Sequence, residues 1–425
     1  MSGAIFLGLD VGTSGVRCVA LDESGDTVAI AKCRFAEFGV DPRAPAAWAI
    51  LTDEALASTL GQIDRDAVRG IAIDGTSGTL LAVDGAGTPV APPMMYDGLV
   101  ADRAVLDRVA ASAPTDSAAR GATSGLAKAL VLQHAPGVRH LMHQADWVAG
   151  QLSGRWDVSD ENNALKTGYD PIARRWGEWI PETGLRTALL PSVLPAGTPV
   201  APISPQAAAR LGLGPKVQVV AGTTDGCASF LATGAGEIGD AVTALGSSLT
   251  LKILSDRPIF SPDHGIYSHR IAGGWLVGGA SNTGGRVLAS FFDVDSLAAL
   301  SHRIDPTRPA RLDYYPLLAH GERFPIADPS LQPRLSPRPA DDAEFLHEML
   351  AGIAAIEARG YASLTALGAP ALRSVRSVGG GALNPCWTQM RERLLDAPFL
   401  PVRSTEAAAG AARLALQSLR EGARP

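Results

Sequence analysis

The chain has 425 residues, of which 46% are hydrophobic and 19% charged, and its formal net charge is −6. This length and composition are typical of a globular protein of two domains. The chain has no run of basic residues and no stretch near the ~20 apolar residues that span a bilayer, so nucleic acid and membrane are excluded as partners. The four cysteines form no CxxC pair and the N-terminus lacks the positive segment of a signal peptide, so we expect a reducing, cytoplasmic setting.

The first block of predicted elements opens with strands joined by glycine turns. Apolar runs at 5–10, 16–21 and 27–31 predict a β-meander. Downstream, the spacing of apolar residues predicts helices at 46–63, 102–111 and 144–152 and strands at 69–73 and 80–83. The stretch 190–215 is rich in proline and is interpreted as linker-like.

The pattern restarts after this stretch. Strands are predicted at 217–221, 242–245, 249–254 and 374–378, and helices at 225–233, 341–367, 384–395 and 404–416. Because strand–turn–strand followed by helices occurs twice, we predict an α/β protein of two related domains, 1–214 and 215–425, with a cleft between them.

The first motif, GLDVGTSGVR at 8–17, follows the first strand. The small residues Gly12, Thr13 and Ser14 let backbone N–H groups and hydroxyls face an anion, and Asp10 could hold Mg²⁺ beside phosphates. The alternative is an ordinary hairpin turn with an exposed aspartate. The run is not a P-loop, because GxxxxGK[ST] is absent, and no helix follows it directly as in a Rossmann turn.

Two further glycine motifs lie in the second block. AGTTDG at 221–226 puts Asp225 at the start of a helix, where it is either a plain N-cap or a reactive carboxylate. The turn Gly246-Ser247-Ser248 between two strands suits a second phosphate-binding turn, in addition to the one at 12–14. Two phosphate-binding turns together with a carboxylate indicate phosphoryl transfer. Three glycines at 379–381 suit a nucleotide base and ribose, or else form a tight strand–helix turn.

In this order the motifs resemble those of the FGGY carbohydrate kinases, a branch of the actin-like ATPase superfamily. The resemblance extends nearly end to end, and it also includes Gly273-Gly274-Trp275 leading to Gly284-Gly285, a PxLxGERxP-like loop at 315–325, and STEAAAGAA at 404–412. It implies two actin-like (ribonuclease H-like) domains, sugar and ATP as substrates, Mg²⁺ as cofactor, and a monomer or homodimer.

Carried over residue by residue, the resemblance implies a division of roles. Asp225 would be the general base and Asp10 would lie near Mg²⁺ and the transferred group, both close to the sugar. The residues that would hold ATP are Gly12, Thr13, Ser14, Gly246, Ser247, Ser248, Gly284, Gly285, Gly380, Gly381 and Asn384. Ser77 in DGTSG and Asp97 in YDG would contact the sugar, unless both serve only as turn residues.

The substrate implied is a free pentulose. The glutamine-histidine-rich loop of xylulose kinases is replaced here by DGTSG at 74–78, and the chain is short for the family. With NALKTGYD at 163–170, this looks most like the short D-ribulose kinases. The alternatives are D-xylulose, L-ribulose or a polyol as substrate, an actin- or chaperone-like ATPase, and a sugar sensor without turnover.

Overall fold

The computed structural model describes residues 3–421, and the chain divides into two compact units. Unit 1 contains the described residues up to Gly234, the short segment 269–271 and the chain from Arg403 onward. Unit 2 contains 235–268 and 272–402. In the described part of the chain, no helix combines the length and hydropathy that crossing a bilayer requires.

The strands alternate with helices along most of the chain, as an α/β protein requires. The strands are β1 (Ile5–Val11), β2 (Gly15–Leu21), β3 (Thr27–Arg34), β4 (Val68–Gly75), β5 (Leu80–Val83), β6 (His140–His143), β7 (Val158–Asp160), β8 (Tyr169–Asp170), β9 (Arg175–Trp176), β10 (Ser192–Leu194), β11 (Pro199–Pro202), β12 (Gln218–Thr224), β13 (Asp240–Leu245), β14 (Leu249–Ser255), β15 (His269–Ile271), β16 (Gly274–Ala280) and β17 (Ser374–Val378). The helices are α1 (Phe35–Phe38), α2 (Pro45–Leu60), α3 (Arg103–Ser112), α4 (Gly125–Leu132), α5 (Gln144–Ser153), α6 (Glu161–Ala164), α7 (Pro205–Leu211), α8 (Asp225–Ala232), α9 (Gly285–Ala289), α10 (Val294–Ser301), α11 (Asp342–Ala366), α12 (Pro385–Leu395) and α13 (Ala407–Glu421).

The sheet of unit 1 has the strand order β11-β12-β4-β1-β2-β3. The strands β1, β2 and β3 form the predicted antiparallel meander, while β4 pairs in parallel with both β1 and β12. Because β1, β4 and β12 run the same way, their carboxyl ends meet at one edge of the sheet, which is where ligands bind in α/β sheets.

In unit 2, β16, β14, β13 and β17 are neighbours in that order. The three strands β13, β14 and β16 are antiparallel, and β17 pairs in parallel with β13. This repeats the arrangement of β1, β2, β3 and β4 in unit 1. The repeat confirms the predicted fold class of an α/β protein of two related domains, the arrangement that the actin-like (ribonuclease H-like) prediction requires.

The last helix, α13, packs against β1, β4 and α8 within unit 1. Small residues permit this close approach: a Cβ on Gly410 would lie 1.8 Å from the backbone oxygen of Ala228. A Cβ on Gly8 would likewise lie 1.9 Å from the backbone oxygen of Ala408. The alanine-rich run of the sequence therefore closes the core of the first unit, although it ends the chain.

The interpretation of 190–215 as a linker is wrong. This stretch contains β10, β11 and α7, and β11 is the edge strand of the six-stranded sheet, where proline is tolerated. Pro205 occupies the first turn of α7, and the apolar side chains of that helix are buried in the core of unit 1. Pro199 begins β11 and Pro205 begins α7, so the stretch belongs to the fold of unit 1 and does not separate domains.

The division into units also differs from the boundary predicted at 214/215. The strand β12 hydrogen-bonds to β4, and α8 follows it, so the first unit continues to Gly234. The first unit also includes the chain from Arg403 onward, because α13 packs on the sheet of that unit.

Candidate active site

Three carboxylates gather at the carboxyl ends of the parallel strands of unit 1. Asp10 on β1 lies directly opposite Asp74 on β4, and Thr223 on β12 lies opposite Asp74 on the other side. Asp225 follows two residues later as the first residue of α8. The charge of Asp225 acts on the pKa of both Asp10 and Asp74, which shows that the three carboxyls form one electrostatic cluster.

Asp10 is buried and paired with a cation of its own hairpin. Arg17 faces it across β1 and β2, and an Nη of Arg17 lies 2.8 Å from Oδ2 of Asp10. Burial raises the pKa of Asp10 above its usual value, although the Arg17 guanidinium opposes that shift. At the tip of the hairpin, the backbone N–H of Gly12 donates to the carbonyl of Gly15, and Thr13 and Ser14 are exposed.

A basic cleft of about 410 Å³ opens beside Asp10. Its lining includes Ser14, Arg17, Lys32, Arg34 and Glu406. Glu406 Oε1 lies 2.6 Å from Nζ of Lys32, and Glu406 Oε2 lies 3.5 Å from Nε of Arg17. Glu406, from the STEAAAGAA motif, therefore forms ion pairs with Lys32 and Arg17 beside the predicted phosphate-binding turn.

Asp74 is completely buried, and sequence reasoning did not single it out. Neither of its carboxyl oxygens meets the distance and angle of a hydrogen bond with a described residue, although the Asp10 carboxyl is close enough to interact with it directly. Burial raises the pKa of Asp74 well above the usual range, and the charges of Asp10 and Asp225 and the direct interaction with the Asp10 carboxyl raise it further. A signal was present, because IAIDG at 71–75 ends an apolar strand in an aspartate, as GLDVG does at 8–12.

Asp225 is half-buried at the N-terminus of α8. The backbone N–H of Gly226 donates to its Oδ1 over 2.6 Å. Its position depends on a close approach of β12 to β4, because a Cβ on Gly222 would lie 1.7 Å from the backbone oxygen of Ile73. The glycine of the AGTTDG motif thus lets Asp225 come near Asp74.

The donor chemistry of this cluster suits Mg²⁺. Carboxylate oxygens are its preferred protein ligands, and the carboxyl oxygens of Asp74 are buried and make no well-formed hydrogen bond with a described residue. Within residues 3–421, however, no group of three or more His, Cys, Asp or Glu side chains is arranged to hold a metal ion. A cation here would therefore depend on water or phosphate oxygens for most of its shell, which is how Mg²⁺ usually binds.

The two predicted sugar residues lie on neighbouring loops of unit 1. Ser77 lies in the turn after β4, and its Oγ is buried without a hydrogen-bond partner in the described chain. Asp97 is exposed on the second loop. The backbone N–H of Tyr96 donates to Oγ1 of Thr79, which connects the loops.

In unit 2, the predicted glycine turns come together at the carboxyl ends of β13 and β17. The backbone N–H of Gly285 donates to the carbonyl of Gly246, and that of Arg286 donates to the carbonyl of Ser247. Gly284 has φ +140°, and a Cβ there would lie 2.8 Å from Ser248. The start of α9 is therefore fastened to the turn between β13 and β14.

The triple glycine packs on the same turn. A Cβ on Gly379 would lie 2.7 Å from the backbone oxygen of Leu245, whereas one on Gly380 would meet nothing within 4 Å. On Gly381, a Cβ would lie 2.5 Å from the Trp387 ring. Asn384 caps α12 by accepting from the N–H of Trp387, and its amide donates to Ser301, so it has a structural role at this place.

A buried ion pair lies close to these turns, and nothing in the sequence signalled it. Arg391 donates to Glu357 from Nε (2.6 Å) and from Nη2 (2.8 Å), and both side chains are at most 1% exposed. Glu357 also accepts from Thr243 on β13, and Arg391 donates to Ser377 on β17. The network therefore connects the two strands that carry the glycine turns.

Known proteins resemble the chain in sequence and in fold. Residues 241–419 match the C-terminal domain of the FGGY family of carbohydrate kinases. The chain is 24% identical to the xylulose kinase of Klebsiella pneumoniae, over 64% of this chain and 59% of that protein, so the match leaves out a good part of that relative. It is also 24% identical to the xylulose kinase of Escherichia coli, over 91% of this chain and 84% of that protein. The crystal structure of a xyloylose kinase from Brucella ovis has the same fold, with a TM-score of 0.85, 22% identity, and coverage of 98% of this chain and 91% of that one.

Proposed function

We propose that the protein, whose residues 241–419 match the C-terminal domain of the FGGY carbohydrate kinases, transfers the γ-phosphoryl group of ATP to a free pentulose, D-ribulose before any other. The observation that carries the proposal is the carboxylate cluster of Asp10, Asp74 and Asp225 at the strand ends of unit 1. A phosphoryl transferase needs a base for the acceptor hydroxyl and a site for the cation that accompanies ATP.

In the proposed mechanism, Asp225 accepts the proton of the terminal hydroxyl of the sugar as its oxygen attacks the γ-phosphorus, and the bond from the γ-phosphorus to the β,γ-bridging oxygen breaks so that ADP leaves. The Gly226 N–H donates to one carboxylate oxygen of Asp225 and so fixes the orientation of the carboxylate at the start of α8. Asp10 and Asp74 would hold Mg²⁺ through their carboxylate oxygens, and the bound cation would offset the negative charge of the phosphates. The Gly12–Ser14 turn offers N–H groups and hydroxyls to the same phosphates.

The residues proposed for ATP in unit 2 are the converging turns of Gly246-Ser247-Ser248, Gly284-Gly285 and Gly380-Gly381, with Asn384 at their border. Their backbones are close together and poor in side chains, as a flat nucleotide requires. Ser247 and Ser248 add hydroxyl donors for phosphate oxygens.

Filling the open space at Gly380 is expected to weaken nucleotide binding. A Cβ at Gly380 would meet nothing within 4 Å, so we expect the Gly380→Leu variant to fold. Because the side chain would occupy room proposed for adenosine, we expect the Kd of ADP, measured by calorimetry, to rise about tenfold or more, a loss of ~1.4 kcal/mol. Gly236→Leu is the matched control, since its Cβ also meets nothing within 4 Å in unit 2. Equal Kd values for the two variants would argue against this adenosine site.

The substrate assignment rests on the segments that resemble D-ribulose kinases, and D-xylulose is the second candidate because of the relatives' names. The test is coupled release of ADP with Mg-ATP against D-ribulose, D-xylulose, L-ribulose, L-xylulose, glycerol and ribitol. We expect D-ribulose to give the highest kcat/KM. A preference for another sugar would keep the kinase and reject D-ribulose, while ADP release independent of sugar would favour an ATPase.

A further inference from the structure

Lys128 lies in α4 and is completely buried, which is rare for a lysine. Its ammonium donates to the backbone carbonyl of Gly78 over 2.8 Å and to that of Tyr96 over 3.2 Å. The partners lie 50 and 32 positions away along the chain. One side chain therefore joins the loop that follows β4 to the loop that contains Asp97.

Each of these carbonyls is adjacent to a proposed sugar ligand. Gly78 follows Ser77, and Tyr96 precedes Asp97. Gly78 has φ +94°, a left-handed conformation that fixes the direction of its carbonyl and that glycine adopts without strain. The two bonds made by Lys128 thus bear on the separation between Ser77 and Asp97.

The ammonium bonds are stronger than ordinary ones because the donor is charged and shielded from water. Burial lowers the pKa of Lys128 to about 8, and the charge of Lys166 lowers it as well, while Asp97 acts in the opposite direction. A charged amine in such a place is costly unless its bonds are made. With the side chain wholly enclosed, Lys128 acts through the loops and does not touch a ligand.

We propose that Lys128 is a positioning residue that sets the distance between Ser77 and Asp97 and so determines the affinity for the sugar. This inference rests on the proposed sugar kinase function. The loops stay connected without it, because Tyr96 N–H also donates to Thr79 Oγ1 and Leu80 pairs with Met94. Removing the ammonium should therefore loosen the spacing without unfolding the loops.

The test compares Lys128→Met with Gln133→Met, a control at the end of the helix that contains Lys128. Gln133 is the residue that caps the C-terminus of α4 and is 3% exposed; its amide donates to the carbonyl of Gly184 and accepts from the N–H of Arg186, so it makes buried cross-links of its own away from both loops. We expect Lys128→Met to raise the KM of the preferred sugar about tenfold or more while the KM of ATP changes less than about twofold. Gln133→Met should leave both KM values near wild type.

An unchanged sugar KM in Lys128→Met, or an equal rise in Gln133→Met, would overturn the inference while the wild-type turnover still supports the kinase. A wild type that phosphorylates no sugar would instead reject the proposed function, and the inference with it. If Lys128→Met does not fold, the wild-type pH profile decides: the sugar KM should rise above about pH 8, where the amine loses its charge, with the ATP KM unaffected. Lys166 and Asp97 face the same amine, so a flat sugar KM from pH 7 to 10 would count against the role of the Lys128 charge.

Discussion

Replacing Asp225 by asparagine is expected to lower the kcat of sugar phosphorylation about 10²–10⁴-fold, the usual contribution of a general base. Asparagine has the same shape and still accepts the Gly226 N–H on its amide oxygen, but it cannot take a proton from the substrate. Nucleotide binding should change little, because the proposed adenosine turns belong to unit 2. Steady-state kinetics and ADP calorimetry on the same preparation measure both effects.

The matched control is Asp102→Asn. Asp102 is the N-cap of α3 and accepts the N–H groups of Ala104 and Val105, so it is a carboxylate at a helix N-terminus outside the carboxylate cluster. It should keep wild-type turnover, since asparagine caps helices as well as aspartate does. Turnover of Asp225→Asn within about tenfold of wild type would mean that Asp225 only stabilises the start of α8 and that another group is the base.

The second large effect is on stability. Replacing Arg391 by methionine leaves the Glu357 carboxylate buried without its cation, which is expected to lower the free energy of unfolding by about 3–5 kcal/mol. The double variant Glu357→Met/Arg391→Met should recover at least half of that loss, because an apolar pair needs no compensating charge. Urea unfolding measures the change, and hydrogen exchange in β13 and β17 locates it.

Arg303→Met controls for the loss of an arginine in unit 2. The Arg303–Asp341 pair is half exposed, 57% and 49%, so breaking it should cost only about 0–1 kcal/mol. If Arg391→Met proved no more costly than Arg303→Met, the interior would be supplying solvent or another cation to Glu357. A double variant as unstable as the single one would show that the charge is not the cause.

The sequence was sufficient to predict the first meander, β4, β5, β12, the β13–β14 hairpin and β17. The meander and the hairpin are alternations of apolar runs and glycine turns, and such local patterns require no knowledge of distant contacts. Asp10 and Asp225 stood out because each follows an apolar strand and precedes small residues. The same rule applied to IAIDG would have included Asp74, which the parallel pairing of β4 with β1 places beside Asp10.

Features that depend on distant partners were missed. The bonds of Lys128 to Gly78 and of Arg391 to Glu357 join residues 50 and 34 positions apart, and lysine and arginine are ordinarily exposed. The packing of α13 on the first unit depends on glycine and alanine residues that fit against strands almost 400 residues earlier in the chain. The proline-rich composition of 190–215 does not reveal that β11 pairs at the edge of the six-stranded sheet. Composition alone cannot reveal such pairings.

The most direct test is to identify the product. Purified protein is incubated with Mg-ATP and D-ribulose, and ³¹P NMR and mass spectrometry follow the fate of the γ-phosphoryl group. We expect one pentulose monophosphate for each ADP formed, and neither product in Asp225→Asn. Release of inorganic phosphate in equal amount to ADP, with no sugar phosphate, would contradict the assignment of the protein as a sugar kinase.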